Sequence, residues 1–259
     1  MIPVVPDCLI PNQIRRNARS GVPVIGPEGL CAGRSVAICG AGPSLVQPDG
    51  YDEVWACNRA VYHVTSTHGV CIDPSREMCR VWRAAPDLAY FLGSAVSPHL
   101  VAQLRPHRMA FFHSLQTQDN DEETRLYGEL FARTALAHTG MNVASRAVDL
   151  ALWLGYSTVD LYGCDMAFGA NREMYADGAR YDGGWWLETE LGGRLWRTKG
   201  DMLATAVALV RLRRERPELR FIGDTLLRAL QHQPDDILDH EWQKREYAAC
   251  SSFIIADPS

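Results

Sequence analysis

The chain has 259 residues, 47% of them apolar and 22% charged, with a formal net charge of −5. This is the composition of a globular protein with a substantial buried core. It argues against a general nucleic-acid binder, which needs a basic surface. No window approaches the roughly 18 apolar residues of a spanning helix, so no membrane span is expected.

The first residues, MIPVVPDCLIPNQIRR, carry two early prolines and no basic stretch ahead of an apolar one, so no signal peptide is read. Residues 1–34 are taken as an N-terminal extension. From there, short apolar runs alternate with helical stretches. The expected strands are Ser35–Cys39, Glu53–Cys57, Gly69–Ile72, Leu88–Leu92, Met109–Phe112, Thr158–Tyr162 and Leu219–Ile222. Several are apolar throughout, as strands covered on both faces should be. The expected helices are Ser75–Arg83 behind Asp73-Pro74, Pro98–Leu104, Asn142–Leu154 closed by Gly155, and Asp201–Arg216 before Pro217. A further helix is expected to begin at Pro43. Residues 116–138 start acidic and then turn helical.

This alternation predicts one α/β domain over residues 35–231, a Rossmann-like three-layer fold with a mostly parallel sheet. Residues 169–198 interrupt it as an irregular insertion rich in aromatics (Tyr175, Tyr181, Trp185, Trp186). Such segments in compact domains are more often functional than idle. Residues 232–259 form a C-terminal tail that can wrap the domain or a partner. The eight cysteines contain no CxxC pair and no zinc spacing. Cys39, Cys57, Cys71 and Cys164, in or beside apolar runs, read as small core residues in a reducing compartment, hence an expected cytoplasmic location. The arginines at 211, 213, 214 and 216 read as a solvated helix face.

The stretch VAICGAGPSL drives a strand into a glycine turn. Gly40 and Gly42 lack the Cβ atoms that would block a phosphate or ribose, Pro43 suits a first helical turn, and Ser44 can cap or donate. A tight turn without any ligand is an equal reading of GxG alone. Asn58, Asp73 and Asp165 follow three further expected strands, where open parallel sheets bind ligands. Each is singly explained as a cap or turn residue. Thr139, Gly140 and Asn142 stand at the entrance of the Asn142–Leu154 helix, where backbone N–H groups lack partners. His113 follows another strand and can reach the same rim. Asp73 and Asp165 can together hold Mg2+, which takes one or two carboxylates plus substrate phosphates.

GAGPSL, then WACNRA, then CIDP, then TGMNVASRAVDLALWLGYSTVDLYGCDMAF together resemble the MptE-like family. That family includes 6-hydroxymethylpterin diphosphokinases and flagellin-modifying motility accessory factors. The same motif order is similar to bacterial sialyltransferases of the Campylobacter lipooligosaccharide type. The resemblance extends through WRTKGDMLATAVALVRLRRERPELRFIGDTLLRAL. It implies a Rossmann-like transferase that takes a nucleotide or nucleotide sugar and an acceptor, a glycan or small molecule. Gly40, Gly42, Pro43 and Ser44 would line the phosphates and ribose. Asn58 would contact phosphate or sugar, Thr139, Gly140 and Asn142 the base or phosphates, and Asp165 the pocket floor.

One departure stands out. Those sialyltransferases carry a histidine, as acceptor base, just before the helix that begins here near Asp201. This chain reads Trp196-Arg197-Thr198-Lys199-Gly200, with no histidine between His138 and His232. Arginine cannot act as that base. Arg197 and Lys199 can instead neutralise a departing phosphate. Three readings stay open: a glycosyltransferase using a nucleotide sugar of the CMP type, favoured by the motif order; a Mg-ATP-dependent diphosphokinase, favoured by the acidic strand ends and the missing histidine; and a non-catalytic nucleotide-binding or assembly module. A homo-oligomer is compatible with all three.

Overall fold

The computed structural model describes residues 9–82, 85, 87–105, 107–114, 121–131, 136–137, 139–180 and 186–240. Its strands are β1 (Ser35–Cys39), β2 (Glu53–Cys57), β3 (His68–Cys71), β4 (Ala89–Gly93), β5 (Met109–Ser114), β6 (Leu136–Ala137), β7 (Thr158–Tyr162), β8 (Leu187–Leu191), β9 (Arg194–Thr198) and β10 (Leu219–Phe221). Its helices are α1 (Ile10–Ala18), α2 (Met78–Val81), α3 (Pro98–Leu104), α4 (Asp121–Leu130), α5 (Val143–Leu154), α6 (Gly200–Glu215) and α7 (Leu226–Leu230).

All seven expected strands form and join one sheet, ordered β10-β7-β1-β2-β3-β4-β5-β6. Every pairing in it is parallel. The apolar runs explain this. Val36, Ala37, Ile38 and Cys39 are all fully buried, so β1 has a covered environment on both faces. One face packs under α5, α6 and α7 through a core containing Ile38, Trp55, Val70, Leu150 and Val207. The other packs under α2 and α3 through Trp82, Tyr90, Leu100 and Phe111. The fold is therefore a three-layer, Rossmann-like α/β domain.

Three elements differ from expectation. The N-terminal extension is part of the domain. Ile10 and Ile14 of α1 are buried, and Asn17 Nδ2 donates to the carbonyls of Ser94 (2.9 Å) and Val96 (2.8 Å). Val24 then bridges Phe111 of β5. Pro11 sits in the first turn of this helix, where its missing N–H needs no partner. Second, the insertion contains an antiparallel hairpin, β8–β9, turned by Gly192 and Gly193. A two-residue Gly-Gly turn between alternating strands is a hairpin signal, and it was legible in LETELGGRLWRT. Third, no helix starts at Pro43. The Leu45 N–H closes a turn on the Gly42 carbonyl at 3.1 Å, and the chain runs on to β2 without regular structure. Pro48, five residues later, lacks an N–H and keeps its predecessor out of helical geometry, so no helix has room.

The described part of the tail, to residue 240, lies against the domain: Leu238 is fully buried. Among the described residues no helix is long and apolar enough to cross a membrane. Of the eight cysteines, Cys31, Cys39, Cys57, Cys71, Cys79 and Cys164 are free thiols. Tyr181, Trp185, Cys8 and Cys250 lie outside the described residues.

His113 does not reach the rim. It lies within β5, fully buried, stacked on Tyr127 at 4.6 Å and against Phe131 at 4.4 Å. Its Nδ1 sits 2.7 Å from Ser94 Oγ. Burial lowers its pKa from 6.5 to about 4, so the folded protein holds it neutral. The unfolded chain takes up this proton first on acidification. His113 therefore contributes stability that is complete above about pH 6.5 and is lost as pH falls toward 4, roughly 3 kcal/mol across the window. Equilibrium unfolding between pH 7 and 4 should show this loss, with a smaller slope in His113→Gln. Equal slopes in both proteins would refute the assignment.

Candidate functional site

The site is built where the loop after β1 meets the loop after β7. The parallel ladder between these strands continues beyond them: Gly40 N–H donates to Tyr162 O and Gly42 N–H to Gly163 O, both at 2.8 Å. Ser44 N–H then donates to Asp165 Oδ2 at 3.1 Å. The loop's amides thus hold the β7 loop rather than converging on an empty point. The two glycines follow from the same contact. A Cβ on Gly40 would lie 2.5 Å from Gly163 O and 2.8 Å from Cys164 Sγ. One on Gly42 would overlap the Asp165 carboxylate and come within 2.7 Å of Gly163 O.

Beside this junction, at the C-terminal edge of β1, β2 and β7, a cavity of about 280 Å3 opens. Gly40, Gly42, Asn58, Asn142 and Asp165 line it together, from four separate segments. Pro43, Ser44, Asp73, Thr139, Gly140, Arg197, Lys199 and His113 do not. Two helices begin at its wall: α5, through Val143 and Ala144, and α6, through Asp201 and Met202. Asn142 caps α5 by accepting the Ser145 N–H at 2.9 Å, and its Nδ2 faces Met166 Sδ. The first amides of each helix have no intrahelical partner and carry the positive end of the dipole. Asn58 stands in left-handed conformation (φ 48°) at the head of a 3-10 turn, and its Oδ1 is buried without a hydrogen-bond partner among the described residues.

Several lining residues were not singled out from the sequence. Arg59 follows Asn58 directly; it pairs with Asp177 at 2.7 Å and lies 4.5 Å over the Tyr175 ring. Tyr175 and Met174 come from the insertion, which docks through Ala176 N–H on Ala41 O at 2.9 Å. Four of the chain's seven methionines, Met78, Met166, Met174 and Met202, line this cavity. Such soft, unbranched side chains make an apolar wall that adapts in shape. Asp201 adds a second carboxylate to that of Asp165.

The remaining expected residues have other local partners. Asp73 Oδ1 accepts the Ser75 N–H at 2.7 Å. It follows β3, three strands from β7, which is about 14 Å across a sheet. Thr139 N–H donates to Asp149 Oδ2 at 2.6 Å, and a Cβ on Gly140 would meet Thr205 and Ser145 within 2.8 Å. Arg197 pairs with Glu188, its direct cross-strand partner in the β8–β9 hairpin, at 2.9 Å. Lys199 is the N-cap residue of α6, two positions before Asp201. Among the described residues no three His, Cys, Asp or Glu side chains converge as a metal site.

Burial raises the Asp165 pKa; the hydrogen bonds from Ser44 oppose this, and Asp224 adds to it. The folded state thus favours the protonated carboxyl. Its contribution is present below the ordinary aspartate range and is lost as pH rises through the raised value, so the ionised group costs stability at pH 7. Asp165→Asn keeps an acceptor for Ser44 and removes the charge. It should gain on the order of 1 kcal/mol at pH 7, or about 2–4 °C in Tm, with the gain vanishing at low pH. A loss of stability at pH 7 would contradict this. Gly42→Ala should destabilise by about 1–3 kcal/mol in the same melts, because the new methyl overlaps a fixed carboxylate.

No family model and no curated protein matches this chain. Its fold is similar to that of a solved structure described as a MAf glycosyltransferase from Magnetospirillum magneticum AMB-1, with 14% identity and a TM-score of 0.57 over 92% of this chain. The chain spans 42% of the length of that protein. At this identity the likeness extends to the fold.

Proposed function

We propose that the chain is a nucleotide-binding transferase of the MptE-like kind, a glycosyltransferase that takes a nucleotide sugar, of the CMP type, as donor. The observation that carries this reading is the convergence of two helix N-termini and the Arg59 guanidinium on one apolar-walled cavity. Helix N-termini attract phosphate through unpaired amides and the dipole. Tyr175 and the methionine side chains offer a flat and adaptable surface for a base or sugar. The buried, unpartnered Oδ1 of Asn58 is an acceptor awaiting a donor such as an exocyclic amine or sugar hydroxyl. The fold likeness to a glycosyltransferase agrees with this reading.

In that reaction the bond between the donor sugar and its phosphate breaks and the acceptor oxygen takes its place. Charge grows on the departing phosphate, where α5, α6 and Arg59 meet it. The acceptor proton needs a base. Asp165, a cavity carboxylate with a raised pKa, takes that role in place of the absent histidine. A second reading, a Mg-ATP-dependent diphosphokinase, draws on the two cavity carboxylates, Asp165 and Asp201. It would use Asp201 where Asp73 was expected.

Thermal unfolding with CMP, UDP, GDP and ATP, each with and without Mg2+, tests both. Saturating ligand at 100 times Kd adds about 2.7 kcal/mol. Stabilisation by CMP without metal is the expected result. Stabilisation by ATP only with Mg2+ would favour the diphosphokinase. No shift with any nucleotide would sink both and leave a non-catalytic module. Arg59→Gln and Asn58→Gly, the latter keeping the left-handed backbone, should each weaken nucleotide binding about tenfold. Arg197→Ala should leave it unchanged, since that side chain is held in the hairpin.

A further inference from the structure

A second concave site lies at the sheet's β10 edge. The groove has a volume of about 550 Å3, and Tyr51, Asp160, Arg213, Arg220, Arg228 and Gln231 line it. It exists because the β1–β2 connection carries no helix. The side chains of Ala37, Asp160 and Arg220 stand in register across β1, β7 and β10. Where a helix would cover them, Tyr51 does so instead, donating its hydroxyl to Asp160 Oδ2.

Most arginines around this groove are held by a carboxylate. Arg211 pairs with Asp239, Arg214 with Asp235, Arg216 with Glu218 and Arg194 with Asp224. Arg220 grips Asp160 with two bonds, Nε to Oδ1 at 2.6 Å and Nη2 to Oδ2 at 2.5 Å. Asp160 is 1% exposed, so Arg220 is held by a buried anchor while 54% of its own side chain faces outward. Two arginines are left over. Neither Arg213 nor Arg228 has a carboxylate partner among the described residues. Arg213 acts on Glu218 only at a distance, through a carboxylate that Arg216 already binds. Arg228 donates to the Gly223 carbonyl at 3.3 Å. Both arginines line the one groove together with the anchored Arg220, in a chain whose net charge is −5.

We propose that this groove is a second binding site, distinct from the cavity beside Asp165, for a phosphate dianion or a small molecule bearing a phosphomonoester. Two unneutralised guanidiniums match its charge, and their planar forks match its oxygens. Arg220 supplies remaining N–H donors at the floor, and the Tyr51 ring and Gln231 amide stand beside the remainder of the ligand.

The test is calorimetric titration of the full chain with inorganic phosphate and, separately, with glycerol phosphate, against sodium chloride at equal ionic strength. Saturable binding is expected in the wild type, weakening as salt is raised. Arg213→Gln and Arg228→Gln should each lower the affinity roughly tenfold, and the double variant should abolish it. Arg214→Gln, whose guanidinium is paired elsewhere, should bind as the wild type does; any separate phosphate component that survives in the double variant and falls in Arg59→Gln belongs to the other cavity. Tighter binding of glycerol phosphate than of inorganic phosphate would support an organic ligand; equal binding would support free phosphate. Heats matching the chloride control, unchanged binding in the double variant, or loss in Arg59→Gln alone would each overturn the proposal.

Discussion

The rest of the site depends on one backbone contact, the continuation of the β1–β7 ladder into the two loops beyond it. Gly40 and Gly42 donate to Tyr162 and Gly163, and the chain can approach that closely only where no Cβ intervenes. This contact sets Asp165 against the Ser44 amide and raises its pKa by enclosing it. It also holds the loop carbonyl of Ala41 in place to receive the insertion through Ala176. The glycine loop is thus a structural junction between strands, and the helix N-termini beside it form another part of the cavity wall.

That division of labour gives the cavity its character. Its polar wall comes from the first turns of α5 and α6, Arg59, Asp165 and Asp201, and its apolar wall from methionines and Tyr175. Arg59 is the link between the two, since it lies over Tyr175 and pairs with Asp177 of the same insertion. The insertion is therefore a wall of the cavity, tied to the core by an ion pair, a ring contact and a backbone bond. An ion pair with both side chains about a third or more exposed is worth little by itself. The combination fixes the Arg59 side chain between the core and the insertion.

The strands were readable because their driving force is local in sequence. Burial on both faces demands a continuous apolar run, and VAIC, VWAC and TVDLY have one or nearly so. Asn58, Asn142 and Asp165 were readable for a related reason, as polar residues at the ends of such elements on the sheet's C-terminal edge. His113 misled because its run continued one turn of the pleat further than the apolar pattern suggested, so a polar side chain was drawn into the core. Arg197 misled because its partner, Glu188, is set by hairpin register across a Gly-Gly turn. Tyr175 stood out only as one aromatic of the insertion, and Arg59 carries no pattern that separates it from a surface residue.

By itself, the sequence determined the α/β class, the strands, the principal helices and the polar strand ends that meet at one edge. Those properties follow from periodicity, apolar runs and capping chemistry within a few residues of chain. Tertiary structure alone decided which N–H groups find a partner, that the loop glycines face β7, and that among the described residues Arg213 on α6 and Arg228 on α7 have no carboxylate partner while their neighbours do. These depend on contacts between residues far apart in the chain, such as Gly42 with Asp165 and Arg220 with Asp160. No short window of sequence records which partner each polar group will find.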